Sequence, residues 1–204
     1  MIFTAPRFAL ITCVLAVAAA APAIAQTKPA PAAPARPAPT DQAVQPAPTS
    51  PGAGPVIVVE TVKGTFEFET YPNEAPKTVA RIVELVNKRF YNGLRVHRVV
   101  PNFVVQLGDP TTRDMTKQAE WGRYGSGTPI GVAEIAKTRT HVRGAVAMAH
   151  LDDPTKADSQ WYVTLSPQPR LDGKYTVFGK VISGMDVVTK LQVTDRIIRV
   201  TVRQ

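Results

Sequence analysis

Few side chains able to do covalent or proton-transfer chemistry stand in useful spacings in this 204-residue chain, which has one cysteine and three histidines. Cys13 lies in an apolar N-terminal run, so no disulfide can close within the chain and no thiolate cluster can hold a metal. His97, His141 and His150 form no i, i+4 helical pair and have no thiolate partner, which argues against a metal centre. Asp109 and Asp172 each adjoin a glycine and read as turn residues, not as a carboxylate pair. Residue type and spacing alone therefore single out no catalytic group. An arginine stays charged, offers five N–H donors and has no basic form to lose, so it suits stabilisation of a transient acceptor. Such chemistry requires no acid, base, metal or nucleophile. Taken alone, Arg98 reads as a solvated strand arginine, and Phe103, Tyr162 and Leu171 read as core residues. In a regular strand His97 and Arg98 face opposite ways, so without a bulge they share no pocket, and His97 is given a supporting role.

The elements that must position these residues follow from patterning. Val56–Val62 is a β-branched run, Lys63-Gly64 a tight turn, and Thr65–Glu69 alternates with Phe66 and Phe68 on one face. Pro76 suits a first helical turn, and Val79, Ile82, Val83 and Val86 make one apolar stripe of a helix ending near Lys88-Arg89. Strands are expected at Leu94–Val100, Phe103–Leu107, Ala145–Ala149, Trp161–Leu165, Thr176–Ile182 and Ile197–Val202, with a short helix at Met185–Leu191. Between Thr111 and Arg143 the pattern lapses into loops, with one turn of helix expected near Glu134. Eight strands in an open sheet would leave two long edges, so the expected fold is mainly β: a closed eight-stranded antiparallel barrel with two helices.

The first 55 residues differ in character. Arg7, the apolar run Phe8–Ala21 and Ala23-Ile24-Ala25 make a secretory signal, with cleavage expected before Gln26. A run of fourteen residues falls short of the ~20 that span hydrocarbon, so no stable membrane insertion is expected after cleavage. The mature protein then carries no thiol, which suits an oxidising compartment, the periplasm or the medium. Residues 26–55 hold nine prolines and eight alanines and are expected to be a disordered, semi-rigid linker. Residues 56–204 are left for one folded domain, with 21 basic and 15 acidic groups. The positives are scattered and no aromatic-basic module is present, so nucleic acid is not an expected partner.

Three blocks then carry a resemblance. Tyr91-Asn92-Gly93-Leu94-Arg95-Val96-His97-Arg98-Val99-Val100-Pro101-Asn102-Phe103-Val104-Val105-Gln106-Leu107-Gly108-Asp109 is the first. The second is Gly144–Ala149 followed by Ser159-Gln160-Trp161-Tyr162, and the third is Leu171–Val181. In this order they resemble the cyclophilin family of peptidyl-prolyl isomerases, and Ala75–Val79 is similar to that family's first helix. The resemblance implies an eight-stranded barrel with two helices, no cofactor, and proline-containing unfolded or extended polypeptides as partners. It also implies that Arg98 is the catalytic group. Phe103, Tyr162, Leu171 and Val104 would wall the proline pocket, and Gln106 would bond the substrate backbone or steady Arg98. Ala149, His150 and Gln160 would line the groove for residues before the proline, and Tyr175 would border the proline side.

The magnitudes say what that site must supply. Amide resonance gives a rotation barrier of about 18–20 kcal/mol, and halfway round the prolyl nitrogen becomes an acceptor. A donor aimed at it binds the twisted state better than either planar isomer. A million-fold gain needs roughly 8 kcal/mol, whereas one preorganised donor supplies about 2.7–4 kcal/mol. The rest must come from a dry pocket.

Some positions depart from the family's usual residues. Val104 stands where Met is common, Tyr162 adds a hydroxyl expected to make the pocket more polar, and His150 and Tyr175 stand for Asn and His. Arg170 replaces the tryptophan of eukaryotic members, which implies weak cyclosporin binding. The functional expectation is an exported prolyl isomerase, acting as a monomer in the folding of exported proteins. The alternative is a noncatalytic proline-peptide-binding or chaperone domain of the envelope.

Overall fold

The computed structural model describes residues 52–203. The signal at 1–25 and the linker up to residue 51 lie outside the described residues. Residues 52–55, assigned above to the linker, are hydrogen bonded to the first hairpin: Gly52 N–H donates to Glu69, and the Pro55 carbonyl accepts from the Thr70 hydroxyl at 2.7 Å.

The elements in chain order are β1 (Val56–Thr61), β2 (Gly64–Thr70), α1 (Pro76–Asn87), β3 (Arg98–Val100), β4 (Val104–Leu107), β5 (Ala145–Met148), β6 (Trp161–Thr164), β7 (Val177–Ser183), α2 (Met185–Lys190) and β8 (Ile197–Arg203). They form one eight-stranded antiparallel sheet in the order β3-β4-β6-β5-β7-β2-β1-β8. The expected closed barrel is corrected here: the sheet curls but stays open, with β3 and β8 as its edges. Only an isolated bridge, Arg95 to Arg196, and a few loop hydrogen bonds such as Val96 N–H to Asp195 O cross that gap. The strand expected from Leu94 starts only at Arg98; residues 94–96 instead bond irregularly to 194–197, with Ile197 N–H donating to Leu94 O and Thr194 N–H to Val96 O.

Period-two alternation sorts the central strands into two faces. Val105 and Leu107, Val146 and Met148, Trp161 and Val163 point into the main core with Phe66, Phe68 and Phe178. Val104, Ala145, Ala147 and Tyr162 point the other way, into a smaller cluster on which Phe103, Ala149, Leu171 and Tyr175 pack. The site is built on that second face. Helix α1 buries Val79, Ile82, Leu85 and Val86 in the main core, and α2 contributes Val188.

The segment from 110 to 144 contains two 3-10 helices, Pro110–Arg113 and Met115–Glu120. No turn of helix forms near Glu134. Its carboxylate instead accepts from the Lys77 and Thr78 N–H groups at 2.9 and 2.8 Å, at the start of α1. Ala75 there has no side-chain cap, so Glu134 satisfies two of the helix's orphan donors from a distant loop.

Candidate active site

Three residues from three strands fall on one cross-strand row. Arg98 pairs with Gln106 across β3 and β4, and Gln106 pairs with Tyr162 across β4 and β6. Directly opposed residues stand within side-chain reach, about 4.5–5.5 Å between Cβ atoms. Spaced two apart on β4, Val104 and Gln106 share this face.

The side chains on this row are fixed by a relay of hydrogen bonds whose directions follow from chemistry. Gln160 Nε2 donates to the Gly122 and Tyr124 carbonyls at 3.0 and 2.8 Å. Those oxygens can only accept, so the Gln160 amide oxygen is left to accept, and Gln106 Nε2 donates to it at 2.9 Å. Gln106 Oε1 is then left for Arg98, whose Nη1 donates at 3.2 Å. Gln106 is thus bonded directly to Arg98. The carbonyl-bearing loop is itself held by Asp109, which is 0% exposed. Its Oδ2 accepts from Gly122 N–H and Tyr124 N–H at 2.7 and 3.1 Å, while Oδ1 accepts from Thr111. Asp109 does close a turn, as its glycine neighbour suggests, and it also anchors the far end of the relay. Gly108 (φ 109°) lets β4 pass close to β6 here: a Cβ would lie 2.3 Å from the Ser159 carbonyl oxygen.

A pocket of about 220 Å³ opens beside this row, lined by Phe103, Val104, Ala149, Tyr162, Leu171 and Tyr175, with Arg98, Gln106, His150 and Leu151 completing its wall. Nine of the eleven proposed site residues therefore meet in one cavity, all but His97 and Gln160. Arg98 stands exposed at the rim, with its guanidinium carbon 5.5 Å from the Phe103 ring centroid. A second cavity of about 480 Å³ adjoins it, sharing Gln106, Ala149, His150 and Leu151 and reaching Gln160. Gln160 lines only this second space.

His97 is the exception and lines neither cavity. Its ring turns inward beneath Gly122, whose Cβ position would lie 3.2 Å from His97 Cδ2, and neither ring nitrogen has a hydrogen-bond partner. Alternation along the strand explains this, since Arg98 takes the outer face. Burial pushes the His97 pKa down to about 4, so the ring is neutral near pH 7. His97 packs against Gly122 beneath the second cavity and, unlike the other proposed residues, lines neither space.

The pocket is also less polar than the Tyr162 hydroxyl suggested. That hydroxyl bonds His141 Nε2 at 3.0 Å behind the wall. Sequence reasoning missed this partner. No local spacing links residue 141 to 162. Leu151, 92% exposed on the lip between the two cavities, was missed too. Among the described residues no group of three or more His, Cys, Asp or Glu is gathered to hold a metal.

Comparison with known proteins places this geometry. The family described as cyclophilin type peptidyl-prolyl cis-trans isomerase/CLD matches residues 56–203. A Brucella abortus protein named "Probable peptidyl-prolyl cis-trans isomerase" is 40% identical over 139 residues, covering 67% of this chain and 70% of that one. Peptidyl-prolyl cis-trans isomerase B of Bacillus subtilis is 43% identical over 121 residues, 59% of this chain and 78% of that one. A solved cyclophilin type peptidyl-prolyl cis-trans isomerase of Cryptosporidium parvum has a similar fold, with TM-score 0.62 at 24% identity over 74% of this chain and 98% of that one. The structure of that organism's enzyme in the presence of the dipeptide Ala-Pro gives a TM-score of 0.61 at 24% identity, covering 73% of this chain and 99% of that one. The chain belongs to the cyclophilin family and is a peptidyl-prolyl cis-trans isomerase.

Proposed function

We propose that this enzyme accelerates X-Pro isomerisation in the folding of exported proteins, with Arg98 stabilising the twisted amide beside an apolar proline pocket. The observation that carries the reading is the relay from Asp109 through Gln160 and Gln106, which holds the Arg98 guanidinium next to Phe103. A donor fixed before substrate arrives needs no reorganisation when the prolyl nitrogen becomes an acceptor. Arg98 is solvent-exposed, so the substrate itself supplies the dry surroundings: a prolyl ring seated against Phe103, Tyr162 and Leu171 covers the guanidinium and strengthens its field. The residues before proline extend past Ala149 and His150 into the second cavity. The enzyme acts as a monomer in the periplasm or the medium, delivered by the N-terminal signal.

A protease-coupled assay on an Ala-Pro tetrapeptide tests the chemistry. Arg98→Ala lowers kcat/KM by about 100-fold or more, the value of one preorganised donor. Arg98→Lys does not restore it, because an ammonium lacks the planar fork that Gln106 holds. Wild-type protein that binds the peptide without accelerating isomerisation would favour a noncatalytic binding domain. For the location, N-terminal sequencing of the protein from its native host should begin at Gln26 in the envelope or medium; a chain retained in the cytosol with residues 1–25 attached contradicts export.

A further inference from the structure

The wall of the proline pocket has a buried polar end. Tyr162 is 5% exposed, and the His141 side chain behind it is fully buried. The two rings stack at 6.0 Å between centroids and 15° between planes. His141 Nδ1 lies 2.8 Å from Asp172 Oδ1, which also accepts the His141 backbone N–H at 2.7 Å. An ionised carboxylate can only accept, so Nδ1 carries the imidazole proton and Nε2 offers its lone pair. The Tyr162 O–H must then donate to Nε2, pointing behind the wall instead of into the pocket. The other group facing the His141 ring is Tyr175, edge-on at 6.3 Å, which itself lines the pocket.

We propose that His141, backed by Asp172, is a positioning residue: it holds the Tyr162 hydroxyl out of the proline pocket and fixes the ring on which the prolyl ring seats. This rests on the reading in which that pocket takes proline, and deepens it. An unpaired hydroxyl would be costly where it is, so a Tyr162 without its acceptor must turn to expose the oxygen, which spoils the apolar wall. Protonation of His141 has the same result by another route. The imidazolium donates from both nitrogens, and the phenolic proton must then find an acceptor on the pocket side. Burial lowers the His141 pKa below its ordinary value, so this state belongs to acid pH and the neutral form to pH 7.

The test measures kcat and KM of the full chain on an Ala-Pro tetrapeptide. His141→Leu removes both ring nitrogens; kcat/KM is expected to fall fivefold or more, mainly through KM. In a Tyr162→Phe background the same substitution is expected to change it less than twofold, since there is no hydroxyl left to hold. Equal losses in both backgrounds, or none in either, would overturn the proposal and leave His141 as packing. Should His141→Leu fail to fold, the pH profile decides. Wild type is expected to lose kcat/KM at acid pH by a limb that Tyr162→Phe flattens, and an unchanged limb overturns the proposal. Wild-type protein inactive at every pH would instead overturn the underlying assignment of the pocket.

Discussion

Two guanidinium groups lie over one phenyl ring at the mouth of the pocket: Arg98 at 5.5 Å and Arg170 at 4.6 Å from the Phe103 centroid. Arg98 is held by Gln106, whereas Arg170 is an exposed cation in the place the resemblance gives to a tryptophan. An apolar macrocycle that packs on an indole and accepts its N–H meets instead a hydrated charge. Cyclosporin is accordingly expected to inhibit only above micromolar concentration, and a submicromolar inhibition constant would show that Arg170 does not matter in this way. At this scale the sequence was informative where the site is contiguous. Arg98, Phe103 and Gln106 sit within nine positions, and their block is diagnostic. The Asp172–His141–Tyr162 chain was illegible because its members come from three separate segments that only the fold brings together.

Helix α1 shows the same division at the scale of an element. Its apolar stripe was readable from spacing, and the observed helix spans Pro76–Asn87. Its cap was not readable, because the capping carboxylate of Glu134 is 56 positions beyond Thr78. A carboxylate on two N-terminal N–H groups also meets the positive end of the helix dipole. Glu134→Ala should therefore lower stability by about 1–2 kcal/mol while leaving kcat/KM within twofold of wild type. Urea denaturation measures the first and the peptide assay the second. An unchanged unfolding midpoint would mean that α1 does not depend on this contact. The strands were legible by alternation, yet β3 is shorter than expected, because residues 94–96 bond irregularly to the 194–197 segment instead of extending the ladder.

For the molecule as a whole, the two-faced sheet makes fold and function share strands: each of β4, β5 and β6 sends alternate residues to the main core and to the site. The open edge between β3 and β8 could not be read from composition, because closure depends on backbone directions at a few turns and not on strand count. Buried histidines also tie global stability to pH. The unfolded chain protonates His97 near its ordinary pKa of about 6.5, while the folded chain keeps it neutral down to about 4. The unfolded state thus binds more protons between those values, so stability is complete above pH 6.5 and falls as pH drops toward 4. The slope from one such histidine is at most about 1.4 kcal/mol per pH unit, and His141 acts in the same direction. Urea midpoints measured from pH 7 to pH 5 should decline, and His97→Leu should decline less steeply. A flat wild-type profile contradicts the burial assigned to His97.

The claim on which the account turns is that Arg98 meets its acceptor only while the peptide bond is twisted. Isothermal titration and isomerisation kinetics on the same Ala-Pro tetrapeptide, for wild type and Arg98→Ala, separate ground-state binding from catalysis. The expected result is a loss in kcat/KM of about 100-fold or more with Kd changed less than about threefold. A parallel loss of affinity and rate would make Arg98 a binding contact and contradict the mechanism.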